Sequence, residues 1–196
     1  MRGRYSELRG LRRRGVHGNR RIRPRCRSSR TFVWRQHHSA CRRGRPVRHL
    51  VYLCGVIPQV GHSVFDQLGE MMVPGWNAGL SEPDPFQRTA WIDADAAKAV
   101  LFADCDSATA RAAFLRMRRQ ARFPGSQDFS LNSFPDTPRT SVVCADDQMV
   151  NPDWSRRIAY ERLDADVVDL AGGHFPMLSR PSVLAAALNG IVDKPG

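Results

Sequence analysis

Hydrophobic positions along the chain follow two regimes. From His49 onward they gather into short continuous runs and helical stripes, whereas residues 1–48 sustain no period of either 2 or 3.6. Leu50-Val51-Tyr52-Leu53-Cys54-Gly55-Val56-Ile57 is an unbroken apolar run stopped by Pro58. Continuous rather than alternating hydrophobicity predicts a strand covered on both faces. Thr140–Cys144 predicts a second such strand and Asp166–Leu170 a third. Between those two, Pro152–Leu163 predicts a helix, with Asn151 as N-cap and Pro152 in the first turn. Pro181 opens a final helix, Ser182–Val192, with Val183, Leu184, Ala187, Leu188 and Ile191 on one face. Strand, helix, strand, helix at short spacing predicts parallel strands with crossover helices, an α/β fold.

Residues 59–138 break that rhythm. They hold two helical patches, Ser63–Met72 and Asp95–Gln120, in a stretch rich in Pro, Gly and Trp. The stretch is far longer than an ordinary connection, so the expectation is a helical cap inserted between two strands of one sheet. Met71, Met72, Trp76, Trp91 and Phe102 could roof an apolar pocket or form the cap's own core.

Charge sharpens the division. Residues 1–48 carry seventeen Arg against a single acid, Glu7, while the chain as a whole is only +11. The excess positive charge therefore belongs to the first quarter, and the remainder is net acidic. So few apolar residues cannot offset ordering entropy, and residues 1–48 are expected to be a disordered basic segment or an out-of-frame translation. A basic arm can bind phosphate backbones, but no zinc spacing or helix-turn-helix pattern accompanies this one, which disfavours nucleic acid as a partner. An Arg-rich, acid-poor stretch also resembles an organellar transit peptide, with a poor amphipathic period. The stretch has no apolar segment of the kind a secretory signal needs. Nowhere are there the ~18 consecutive apolar residues of a spanning helix, so no membrane partner is expected. Cys26, Cys41, Cys54, Cys105 and Cys144 form no CxxC pair and no metal spacing. Reduced thiols, a cytoplasmic location and neither metal nor cofactor are the expectations.

Candidate chemistry sits at two strand ends. Asp147 lies just beyond its strand, where open α/β sheets place their ligands. A carboxylate there can orient a histidine and stabilise the imidazolium. It can also be a turn former, and Asp146 beside it competes for either role. His174 follows Gly172-Gly173 at the end of the last strand. Two glycines allow a tight turn that returns the ring over the sheet, although a lone histidine is commonly a satisfied core residue. The ordered set of strand–Asp, helix, strand–Gly-Gly-His and helix is what favours chemistry.

Here the chain resembles the α/β-hydrolase family, in its small esterase and hydroxynitrile-lyase-like branch. The matching stretches are His49–Leu53 with Pro58, Gly61–Val64, Ala103-Asp104-Cys105, Val143–Pro152 and Gly173–Pro181. The resemblance covers nearly all of residues 48–192. It implies a carboxylic-ester hydrolase, with cyanohydrin lyase chemistry on the same scaffold, acting on a small-molecule substrate. Asp147 takes the acid position, Asp146 a preceding acidic position, His174 the general base, and residues 59–138 the cap. Residues 49–196 would then be the C-terminal portion of such a domain.

One element of the family pattern is missing. Its nucleophile elbow, Gly-x-Ser-x-Gly, seats a serine on a strained strand-to-helix turn. This chain contains no such motif. Gly61-His62-Ser63-Val64-Phe65 keeps the order Ser, Asp, His, but Phe65 replaces the second glycine. Ser63 is therefore a candidate nucleophile with half of its motif. Ser39, in His37-His38-Ser39-Ala40-Cys41, lacks both glycines. The expectation is a triad remnant, a hydrolase by ancestry with little or no esterase activity as this polypeptide. The alternative is a non-catalytic binding module whose basic arm contacts nucleic acid or an acidic partner.

Overall fold

The computed structural model describes residues 47–193. The expectations for the basic segment, including Ser39, lie outside the described residues. Five strands and six helices follow in the order β1 (Leu50–Leu53), α1 (Leu68–Met71), β2 (Arg88–Thr89), α2 (Ala94–Leu101), α3 (Ser107–Phe114), β3 (Gln120–Ala121), β4 (Arg139–Cys144), α4 (Pro152–Leu163), β5 (Asp166–Leu170), α5 (Pro176–Ser179) and α6 (Pro181–Val192). The described residues form a three-stranded parallel sheet in the order β1-β4-β5. β2 and β3 make a separate two-residue antiparallel ribbon.

β4 is the spine. All its residues after Arg139 are buried, because successive side chains point to opposite faces and both faces are covered. Val142 and Cys144 join Cys54, Leu170, Leu184 and Ile191 beneath α6. The larger core lies on the α4 and cap side and contains Ile57, Met71, Phe102, Trp154, Ile158 and Leu163. α4 occupies the expected residues. Asn151 Oδ1 accepts from the N–H groups of Asp153 and Trp154, and the helix ends at Asp164 in a left-handed conformation. Only Leu184 and Ile191 of the predicted α6 face are fully buried, and Val183 is exposed.

Three expected elements come out differently. The apolar run at 50–57 is a strand only through Leu53, because Cys54 turns to φ +44°. Val56 and Ile57 are then buried as core side chains of a loop. The patch Asp95–Gln120 is two helices, not one. Asp106 starts the second, its carboxylate accepting from the Thr109 N–H at 2.8 Å, as Asp93 does from the Ala96 N–H for α2. The patch Ser63–Met72 tightens into one 3-10 turn, Phe65–Gln67, before α1.

Residues 59–138 connect β1 to β4, which are neighbours in the sheet. Their attachment to the sheet side is local and specific. Met72 bridges Val150, the Val73 N–H donates to the Met149 carbonyl, and the Asn151 N–H donates to the Met71 carbonyl. Among the described residues no helix is long and apolar enough to cross a membrane.

Candidate active site

β4 and β5 run in register to their ends, with Cys144 opposite Leu170. The two chains therefore leave the sheet at one level, at its carboxyl edge. Their pairing continues past the strands, since the Ala145 N–H donates to the Leu170 carbonyl at 2.8 Å and the Asp146 N–H to the Gly172 carbonyl at 3.0 Å. This continuation sets where the next side chains fall.

Asp147 and His174 are brought together. Asp147 Oδ2 lies 2.7 Å from His174 Nδ1, and both residues are about 95% buried. A carboxylate taken out of water needs several donors to offset its lost hydration. Asp147 Oδ1 has them, accepting from the Met149 N–H at 2.7 Å and the Val150 N–H at 3.0 Å. The turn-forming and histidine-facing roles are thus both filled, one by each oxygen. A carboxylate on Nδ1 favours the tautomer with its proton there, leaving Nε2 as the basic nitrogen.

Asp146 has a different task. Its Oδ2 accepts from the Gly172 N–H at 3.0 Å, bracing the turn that carries His174. Gly172 has φ +110°, a region closed to most side chains, which is why glycine stands there. Phe175 packs at the edge of the His174 ring, with centroids 5.2 Å apart, and against Phe102 of the cap at 5.1 Å.

Ser63 sits elsewhere in the local chemistry. Its hydroxyl donates to Asp66 Oδ2 at 2.7 Å and accepts from the Asp66 N–H at 3.2 Å, while the Ser63 N–H also donates to Asp66 Oδ2. That reciprocal set is a helix-start box for the turn at Phe65. The Ser63 hydroxyl holds Asp66 below the usual carboxylate range.

An apolar cavity of about 260 Å³ opens within the cap, with Leu68, Trp76, Trp91, Met117 and Met149 in its walls and Arg118 and Arg122 beside them. Trp76 and Trp91 line it while also packing against the core, and Met71, Met72 and Phe102 lie within the core. Met149 links the cavity to the acid loop through its N–H on Asp147.

Asp104 is the site residue that sequence reasoning left without a role. Its carboxylate abuts Gly172 and Gly173 and meets Arg180 Nε at 3.3 Å. The stretch Ala103-Asp104-Cys105 carried the only signal. Among the described residues no three His, Cys, Asp or Glu side chains converge as a metal site would.

A family model described as the alpha/beta hydrolase family matches residues 30–187. The alpha/beta hydrolase nvfD of Aspergillus novofumigatus (strain IBT 16806) is 29% identical over 142 residues, covering 70% of this chain and 54% of that protein. The pyrethroid hydrolase of Sphingobium faniae JZ-2 superposes with a TM-score of 0.63 at 20% identity, over 83% of this chain and 66% of the other. Polyneuridine aldehyde esterase superposes with a TM-score of 0.61 at 17% identity, over 75% of this chain and 63% of the other. At such identities the structural likeness is one of fold. The chain spans about half the length of its curated relative and just under two thirds of these structures.

Proposed function

The chain belongs to the alpha/beta hydrolase family, and from that premise we propose that Asp147 and His174 are the acid and general base of a carboxylic-ester hydrolase site. The observation that carries this proposal is the buried 2.7 Å contact between Asp147 Oδ2 and His174 Nδ1. In such a site His174 Nε2 takes the proton of an attacking hydroxyl and returns it to the leaving alcohol. Asp147 fixes the ring and stabilises the imidazolium between those steps. The esterase and pyrethroid-hydrolase neighbours support an ester as the substrate class.

We further propose that this polypeptide turns esters over little or not at all. It contains no Gly-x-Ser-x-Gly, and the Ser63 hydroxyl is engaged with Asp66. Without an activated nucleophile, an oriented acid–base pair has nothing to deprotonate. Purified protein assayed with short-chain p-nitrophenyl esters is expected to match the buffer rate. Turnover above that rate, abolished by His174→Ala, would overturn the inactivity. Loss in Ser63→Ala as well would make Ser63 the nucleophile.

A further inference from the structure

We propose that Asp104 is a positioning residue through which the cap fixes the His174 turn, an inference that rests on reading His174 as the general base. Asp104 lies between α2 and α3, far from His174 in sequence. Its carboxylate fills the space that side chains at 172 and 173 would occupy. A Cβ on Gly172 would lie 2.5 Å from Asp104 Oδ2 and 2.6 Å from Arg180 Nε, and one on Gly173 would lie 2.9 Å from Asp104 Oδ1. All three distances are shorter than an ordinary contact, so a side chain at either position would push the Asp104 carboxylate or Arg180 away from the turn.

The turn is gripped from two sides. Asp146, at the end of β4, exchanges hydrogen bonds with the backbone of Gly172. Asp104 presses on Gly172 and Gly173 from the cap, its Oδ1 buried beside the Gly173 N–H without a hydrogen bond of full geometry. Two residues earlier, Phe102 packs on Phe175, one residue after His174. The segment 102–104 therefore runs alongside 172–175 and touches it at both ends. Arg180, entering α6, closes the arrangement on Asp104 Oδ2. Burial raises the Asp104 pKa, but the Gly173 N–H, the Ser179 hydroxyl and Arg180 together outweigh it and hold the carboxyl below its usual range. The group is thus a charged acceptor at neutral pH.

Modification of the imidazoles of the full chain by diethyl pyrocarbonate, read residue by residue by mass spectrometry, tests this without any need for ester turnover. His62 is exposed and reports intrinsic reactivity; half-buried His49, at the start of β1, reports general loosening. In Asp104→Ala, the His174-to-His62 ratio is expected to rise about tenfold, as when one charge-assisted hydrogen bond is lost from a local closed state. Asp104→Asn, which keeps the shape and one acceptor, is expected to recover most of the protection. A ratio within about twofold of the unaltered chain, or an equal rise at His49, would overturn the proposal. Should Asp104→Ala fail to fold, Arg180→Gln decides in its place: a rise of about twofold or more at His174 supports the clamp, and a smaller one overturns it. Unchanged protection leaves the hydrolase proposal standing, whereas ester turnover lost in His174→Ala overturns the inactivity without touching the clamp.

Discussion

The segment from β4 through β5 and the cap are built on different physics. In the first, one strand buried on both faces carries a 12-residue helix and a parallel neighbour, so position is set by burial spread over long elements. In the cap the helices have four to eight residues and the strands two. Its buried side chains belong to the larger core, but its short turns are set by single side chains that bind backbone groups, such as Asp66, Asp84, Asp93 and Asp106. Burial spread along a long element tolerates a local loss, whereas a short turn held by one such side chain is lost when that side chain goes.

The most severe way to break this contrast is a charge in β4. Val142 is fully buried, and Val142→Asp should cost more than about 4 kcal/mol and abolish cooperative urea unfolding. Survival of that transition would mean β4 is not the spine. Next comes Gly172→Ala, which forces a side chain to φ +110° and into Asp104. A loss of about 1–3 kcal/mol is expected in the same measurement. Helix caps sharpen the contrast. Asn151→Ala and Asp93→Ala should each cost about 1 kcal/mol. Hydrogen exchange should show fraying confined to α2 in Asp93→Ala, while in Asn151→Ala the loss is shared across α4, β4 and β5.

The smallest effect is on pH. Ser63 lowers the pKa of Asp66, Arg88 that of Asp84, and the Thr109 N–H that of Asp106, while Asp104 is lowered by its donors against its burial. All four lie in residues 59–138. A carboxyl whose folded pKa sits below its unfolded value stabilises the fold above that unfolded value, about 3.9, and loses the contribution as pH falls through the folded one. The cap should therefore open first below about pH 4, with exchange protection falling in cap peptides before those of β4 and β5. Simultaneous loss would remove the distinction.

The same difference governs what the sequence disclosed. α4 occupies its expected residues because cap and helical run agree. β5 has its expected bounds, but it is the last strand of the described sheet and only its Leu170 is buried, so it is not covered on both faces as its run suggested. That Asp147 and His174 come together was legible because both follow strand ends. The division of labour between Asp146 and Asp147 was not, since it depends on the direction in which a turn folds after Cys144. The break at Asp104–Asp106 was hidden because an aspartate in a helical stripe reads equally as an exposed face or a new N-cap. Cys54 ends β1 through a left-handed backbone that no residue preference at cysteine foretells. The β2–β3 ribbon has too few residues to show any period.

Folding order follows from the positions of the partners along the chain. The contact between Asp147 and His174 closes over 27 residues, whereas that between Cys54 and Cys144, where β1 meets β4, closes over 90. Loop-closure entropy makes the longer closure about 1 kcal/mol more costly, and local contacts form sooner. The acid and its histidine can meet while the cap is still searching for its seat. One continuous segment, Arg139–His174, therefore carries both members of the pair, while Asp104 and Arg180 on either side of it complete the turn that holds the imidazole.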